Sequence, residues 1–480
     1  MDSGKIPVTN QVEEYRKRGY TNDDILPKTQ EKRTMGLVNY FTLWMGSIHN
    51  IPNYMAVAGF LALTASINIV IALILSGLAV ATFMVVNGRA GTKYGIPFSM
   101  HLRATYGEKG SVLPGFLRGC VAAIAWFGVQ CYTGSQALLI IVSKLYPAFL
   151  DIGGGKEILG ISIPSLICFT VFWALNVLIG LGGGGILNKF TAVLSVLIYI
   201  VFGGMTVWAI KNAGGLGPIF AYQHPDRQSV NTIFVYLMII NSVMGVWAAP
   251  GASASDFTQN AKSDAEQKKG QYLSLFVGYA LFGFMAISIL AGGSIIYDAP
   301  QLGALEIIQN WDSVPAVVIS TGVFLMTTIS TNATGNVIPA AYQLSALFPK
   351  VLNNKRAVMV ASIIGFVIMP WKMSEGIYTF LNVIGALLGP VAGVLICDYY
   401  VIKQKQIDLD QLYADFSKDQ KGNIYRGLNV QAYIATFVGL GVSVLGMFVP
   451  ALEVIGNLGW ITGFALAFVT YFLLAKSKKA

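Results

Sequence analysis

The chain has 480 residues, 55% of them hydrophobic and only 11% charged, with a net charge of +9. A soluble chain of this length carries roughly 25% charged residues and divides into two or three domains, so the composition excludes that class. The apolar residues also stand in blocks, such as 69–86, 192–210 and 455–475. Blocks of about 20 residues cross a hydrocarbon core of roughly 30 Å.

In chain order, a polar tail over 1–35 precedes twelve expected membrane helices near 36–60, 67–87, 112–146, 160–182, 188–211, 231–255, 269–296, 314–348, 356–371, 375–402, 429–449 and 453–475. Only helices or closed barrels satisfy backbone polar groups in lipid, and continuous apolar runs exclude the alternation of a barrel. The fold class is therefore all-α integral membrane. The expected division is a tail (1–35), a ten-helix transport core (36–402), a polar loop (403–428), and two additional helices with a short tail (429–480). The first apolar run is too long for the h-region of a signal peptide, so no cleavable signal is expected.

Orientation follows from Lys and Arg. With both termini in the cytoplasm, 26 of these residues fall inside and 5 outside, leaving Arg118 within the third span. The inner set includes Lys5, Lys189, Lys350, Lys476, Lys478 and Lys479; the outer set is Lys144, Lys156, Lys211, Arg227 and Lys372. The positive charge thus records topology in a cell (inner) membrane, and nucleic acid is not an expected partner. Cys120, Cys131, Cys168 and Cys397 all fall within spans, without a C-x-x-C pair, and read as small core residues.

Two spans carry residues that break helices. The first contains Gly46-Ser47-Ile48-His49-Asn50-Ile51-Pro52-Asn53, and the sixth Gly245-Val246-Trp247-Ala248-Ala249-Pro250-Gly251. Pro removes a backbone hydrogen bond and Gly weakens a helix, so both spans should unwind near the middle of the membrane. They are five helices apart and cross in opposite senses. Corresponding interrupted segments in inverted halves point to the binding site of a secondary transporter. The expected architecture is a five-plus-five inverted repeat with two further helices outside it.

Charge is almost absent from the expected core, where His49 is the one central titratable group. Proton relays leave buried Asp, Glu or His behind, so the main substrate reads as uncharged. A coupling cation would be held by carbonyl and hydroxyl oxygens. In the eighth span Thr327, Ser330 and Thr331 share one helix face, which also suits simple helix packing. In the third span Trp126 and Gln130 point the same way, so an indole and an amide could meet a flat ring or merely a neighbouring helix.

These segments resemble the first nucleobase–cation symporter family, and within it bacterial allantoin permeases. The resemblance is carried by Gln30-Glu31-Lys32-Arg33-Thr34, the stretch from Trp44 to Tyr54, Gly91-Thr92-Lys93-Tyr94-Gly95-Ile96-Pro97-Phe98, the stretch from Trp126 to Ser135, Ile329-Ser330-Thr331-Asn332, Leu388-Gly389-Pro390-Val391-Ala392-Gly393 and Asp398-Tyr399-Tyr400. It implies a fold of the leucine-transporter type with two extra helices. It also implies that Trp126 and Trp247 sandwich the substrate ring and that Asn50, Gln130 and Asn336 bond it. A sodium site is implied at the carbonyls of Gly46, His49 and Thr327 and the hydroxyls of Ser330 and Thr331. The stretch from Pro250 to Gln259 departs from the family pattern in its proline position and in having Gln259 where relatives carry arginine.

The resulting expectation is a monomeric cation symporter that imports a small neutral nitrogen heterocycle, with allantoin first. Hydantoin, cytosine, uracil and purines remain alternatives. No cofactor is expected beyond sodium or a proton as coupling ion, and the other partner is the lipid bilayer. A channel would show a filter sequence, and a membrane enzyme would show a nucleophile–base pair or metal cluster. His49, His101 and His224 stand far apart in sequence.

Overall fold

The computed structural model describes residues 8–20, 22–182, 185–300, 302–348, 351–418 and 421–477. Lys5, Lys350, Lys478 and Lys479, counted in the charge balance, lie outside the described residues, as does the side chain of Lys189.

Eight helices among the described residues are long and apolar enough to cross a membrane unbroken. They are span 2 (Ser66–Tyr94), span 3 (Val112–Leu145), span 4 (Ile163–Gly182), span 7 (Asp264–Tyr297), span 8 (Val314–Ser345), span 10 (Ile377–Ile402), span 11 (Val430–Phe448) and span 12 (Gly459–Ser477). Span 5 is Gly185–Asn212. Span 1 is split into Leu37–Ile48 and Ile51–Phe60, and span 6 into Thr232–Val246, Ala248–Ala252 and Ala254–Thr258. Span 9 is short: Asn354–Val367, 14 residues, or about 21 Å at 1.5 Å per residue. The expected span over 356–371 ends early because Met369 adopts a left-handed conformation (φ +53°) and Pro370 opens a separate short helix, Pro370–Glu375.

The break in span 1 is built by its own side chains. Asn50 adopts an extended backbone, and its Oδ1 accepts the Asn53 N–H (3.0 Å), capping the second half, whose second residue is Pro52. Asn53 Nδ2 returns to the Ile48 carbonyl (2.7 Å). In span 6 the helix leaves its path at Trp247 (φ −91°, ψ 2°) and again at Ser253 (φ −94°, ψ 27°).

Spans 2, 6 and 7 pack with the first half of span 1 into one group, and spans 3, 4, 8 and 9 into another. Span 10 lies on spans 6 and 12, and span 12 on span 11. Small residues permit these approaches: a Cβ on Gly77 would lie 2.6 Å from Tyr279 Cβ, and one on Gly393 2.4 Å from the Phe464 carbonyl oxygen. Single π-helical turns occur at Leu117–Ala122, Leu273–Val277, Ala333–Val337 and Asp398–Ile402, each in the half of its span nearer the termini.

Short elements that hydropathy alone does not give also form outside the spans. Thr9–Lys17 in the tail and Phe98–Tyr106 between spans 2 and 3 are helical. Between spans 3 and 4 lies a two-stranded hairpin, Glu157–Ile158 with Ile161–Ser162, the exception to an all-α chain. Its turn residues Leu159 and Gly160 both have positive φ (+55° and +81°), the geometry of a tight two-residue hairpin. The tail is bound down: Tyr15 stacks on Tyr413 at 4.6 Å, and Arg103 donates to Tyr20 Oη at 2.7 Å.

Candidate substrate site

The broken segments of spans 1 and 6 meet spans 3 and 8 around a central cavity. Trp126, Gln130, Trp247, Asn50, Asn336 and Thr331 all line it, joined by Leu43, Trp44, Ser47, Pro250, Phe257 and Thr334. Among the described residues, no charged side chain lines it. The first-half residues of span 1, the later residues of span 6 and Thr334 place it in the half nearer the termini. A second, larger vestibule lies beyond the breaks, lined by Ile51, Tyr54, Tyr132, Thr133, Gln136, Phe324 and the segments Gly303–Glu306 and Ser374–Glu375. The two share no lining residue.

Each predicted residue has a distinct environment. Trp247 is anchored, its Nε1–H donating to Tyr279 Oη at 2.6 Å. Trp126 stands edge-on to Phe380 (4.9 Å, 80°), and its N–H has no partner. Gln130, one turn further along span 3, is buried with its Oε1 also unpartnered. An orphaned buried acceptor costs about 1–3 kcal/mol, which a ligand N–H would relieve. Asn336 lies in the π-helical turn of span 8 and donates to Asn332 Oδ1 at 2.9 Å. Asn332 in turn reaches the Phe127 carbonyl, Cys131 Sγ and Asn176 Oδ1 at 3.2–3.3 Å, fixing span 8 against spans 3 and 4.

Asn50 is less available than a free amide. Its Oδ1 caps the second half of span 1 and its Nδ2 donates to the Ser47 carbonyl at 2.9 Å, leaving one N–H and one lone pair for a ligand.

The residues implied in a cation site divide. Thr331 lines the cavity, whereas Gly46, His49, Thr327 and Ser330 are buried behind it. The Asn50 N–H turns to the Ile48 carbonyl (3.1 Å) instead of continuing the helical ladder to Gly46. The Thr327 hydroxyl is occupied, donating to the Phe324 carbonyl at 2.8 Å. His49 directs its ring away from the cavity. It stacks on Phe202 (5.1 Å, 12°), meets Tyr199 and Phe282 edge-on, and bonds Tyr54 Oη through Nδ1 at 3.1 Å. Its Nε2 is buried without a partner, and its carbonyl is the one oxygen it has for an ion.

In the atypical stretch of span 6, Ser253 accepts a hydrogen bond from Arg118 Nε (3.1 Å). Arg118 is 3% exposed, and Asp256 Oδ1 accepts the Phe98 N–H at 2.8 Å. The guanidinium that tends this segment therefore comes from span 3. Sequence reasoning missed Trp44, Asn332 and Tyr279. Trp44 precedes Ser47 by three residues, a spacing that marks a shared helix face.

Two broken spans about an uncharged central cavity define a secondary carrier of small neutral molecules. A family model for permeases of cytosine/purines, uracil, thiamine and allantoin matches residues 27–463. The chain is 50% identical to a provisionally assigned allantoin permease of Escherichia coli K12, over 97% of this chain and 96% of that protein. It is 35% identical to the allantoin permease of Bacillus subtilis 168, over 95% and 93% of the two chains. The structure matches the inward-facing conformation of Mhp1, a nucleobase-cation-symport-1 family transporter, with a TM-score of 0.78 at 22% identity, over 95% and 94% of the chains. The chain belongs to this permease family; it is a transporter and not an enzyme. The fold is that of the inverted-repeat carriers.

Proposed function

We propose that this protein imports allantoin by symport with a monovalent cation through alternating access. The observation that carries the reading is the uncharged cavity at the two helix breaks, walled by the indoles of Trp126 and Trp247 and by the amides of Gln130 and Asn336. Indoles suit a planar ring, and amides suit alternating N–H and C=O groups. The names of the two bacterial relatives favour allantoin among such rings. The test is uptake of labelled allantoin into proteoliposomes. Accumulation that unlabelled allantoin competes supports the reading; uptake of cytosine or uracil without allantoin overturns it.

Gln130→Ala leaves a ligand N–H unpaired in the cavity and is expected to weaken allantoin binding about five- to hundredfold. Binding measured by competition checks this, and a loss below about twofold would place the ring elsewhere.

The cation in this reading is sodium, held by the carbonyls of Gly46, His49 and Thr327 with the hydroxyls of Ser330 and Thr331. The break that turns Asn50 away from Gly46 supports it, because it takes the helical donor from that carbonyl. Five neutral oxygens suit a monovalent ion and hold too little charge for calcium. Allantoin affinity is expected to rise with sodium at fixed pH and ionic strength. A flat titration, with Ser330→Ala and Thr331→Ala unchanged, would reassign coupling to protons or remove it.

The proposed placement is a monomer in the inner membrane with both termini cytoplasmic, supported by the charge balance. Cysteines introduced at Asn423 and Lys476 are expected to react with an impermeant maleimide only after the cells are opened. Labelling of intact cells would invert the topology.

A further inference from the structure

We infer that Trp44 is a substrate-binding residue, donating its indole N–H to a ring carbonyl, so that the site selects heterocycles presenting C=O on the side of span 1. The inference rests on the importer reading above and extends it to a residue outside the expected clamp.

Among the described residues, the buried indole N–H groups of Trp44, Trp126, Trp311 and Trp460 have no partner. Only Trp44 and Trp126 line the central cavity. The two differ in what they present. Trp126 serves in the proposed clamp through the face of its ring, and an N–H lies in the ring plane, so the same indole cannot stack on a ring and donate to it. Trp44 is already in edge-to-face contact with two rings: Trp247 meets it at 5.2 Å and 76°, and Phe257 at 4.8 Å and 72°. Its one polar side-chain atom is the N–H, which the protein leaves unpaired.

The contrast with Trp247 is informative. Its N–H is consumed by Tyr279, so of the two indoles in contact one is pinned by the protein and the other is left unpaired. Trp44 is 3% exposed, and burying an unpaired N–H carries a cost that a carbonyl acceptor removes. Ser47 and Asn50, which also line the cavity, are engaged within span 1: Ser47 Oγ donates to the Leu43 carbonyl (2.9 Å), and Asn50 bridges the break with one N–H and one lone pair left over. Trp44 is thus a donor that the terminus-side half of span 1 leaves wholly unpaired. Together with the unpartnered Gln130 Oε1 across the cavity, it matches a ligand with a carbonyl at one edge and an N–H at another. Hydantoin-type rings carry that pair; a ring with no carbonyl does not.

The experiment uses the full-length protein with labelled allantoin as probe. Trp44→Phe keeps an aromatic ring and deletes the donor. Replacement of Trp44 by 3-benzothienylalanine keeps the bicyclic shape and exchanges only N–H for sulfur, which covers the case in which phenylalanine fails to pack. Each variant is expected to bind allantoin about five- to thirtyfold more weakly, the cost of one lost hydrogen bond and an unpaired carbonyl. Hydantoin and its two monothio analogues, whose sulfur is a poorer acceptor, serve as competitors. For one of the two analogues the wild-type advantage over the variants should shrink to within about twofold. Wild-type affinity for allantoin in the benzothienyl variant overturns the inference, as does an undiminished advantage with both analogues. Absence of allantoin binding to the wild type would instead overturn the importer reading, so the two failures are distinguishable.

Discussion

Trp126→Ala and Trp247→Ala are each expected to weaken allantoin binding about thirty- to thousandfold while the protein still inserts and folds. The magnitude combines the apolar area a ring loses, worth about 1.5–3 kcal/mol, with roughly 0.5–1.5 kcal/mol of aromatic geometry beyond area. The two positions differ in what else they touch. Trp247 loses its bond to Tyr279 and its contact with Trp44, so its removal loosens the span 6 break as well as the pocket. Trp126 leaves only Phe380 without a partner ring. Trp126→Ala is therefore the cleaner test, and equilibrium binding with a parallel thermal melt separates the effects. Retained affinity in both variants would remove the clamp.

The second large effect is expected away from the ligand. Asn332 is fully buried, donates toward three acceptors on spans 3 and 4, and accepts from Asn336. Asn332→Ala leaves Asn176 Oδ1 and the Asn336 amide without this partner and opens a void between spans. The expected cost is about 2–5 kcal/mol, seen as a lower melting temperature in detergent together with lost binding. Asn336→Ala should weaken binding with little change in melting temperature. If the two variants melt alike, Asn332 is not the support on which Asn336 rests.

Those two residues show where sequence reading succeeds and where it stops. The breaks at Gly46–Asn53 and after Gly245 were legible because proline and glycine act locally, through hydrogen bonds within one helix. The common direction of Trp126 and Gln130 was legible because four-residue spacing sets it, but spacing alone left open whether they face a ring or a neighbouring helix. Asn332 was not, since its value depends on Asn176 and Cys131 from spans 3 and 4 arriving at the same point. His49 shows the limit most clearly. Its place in the chain is central, yet its ring turns into an aromatic cage supplied by spans 5 and 7, which no spacing in span 1 encodes. The early end of span 9 was written in Pro370, but the apolar run to either side masked it.

The two vestibules, which come close to each other without sharing a wall residue, have an electrical consequence. Where aqueous crevices enter a membrane from both faces, the voltage falls mainly across the thin septum between them, here the layer of Asn50 with Ile51 and Gln130 with Thr133. A neutral ring crossing that septum feels nothing of the field, but a sodium ion travelling with it moves one charge through nearly the whole drop. One charge in 100 mV is worth about 2.3 kcal/mol, or roughly a fiftyfold accumulation. Symport with one sodium should therefore draw inward current, and an inside-negative vesicle potential set with potassium and valinomycin should raise the allantoin gradient above that at a potential clamped to zero, the sodium gradient being the same.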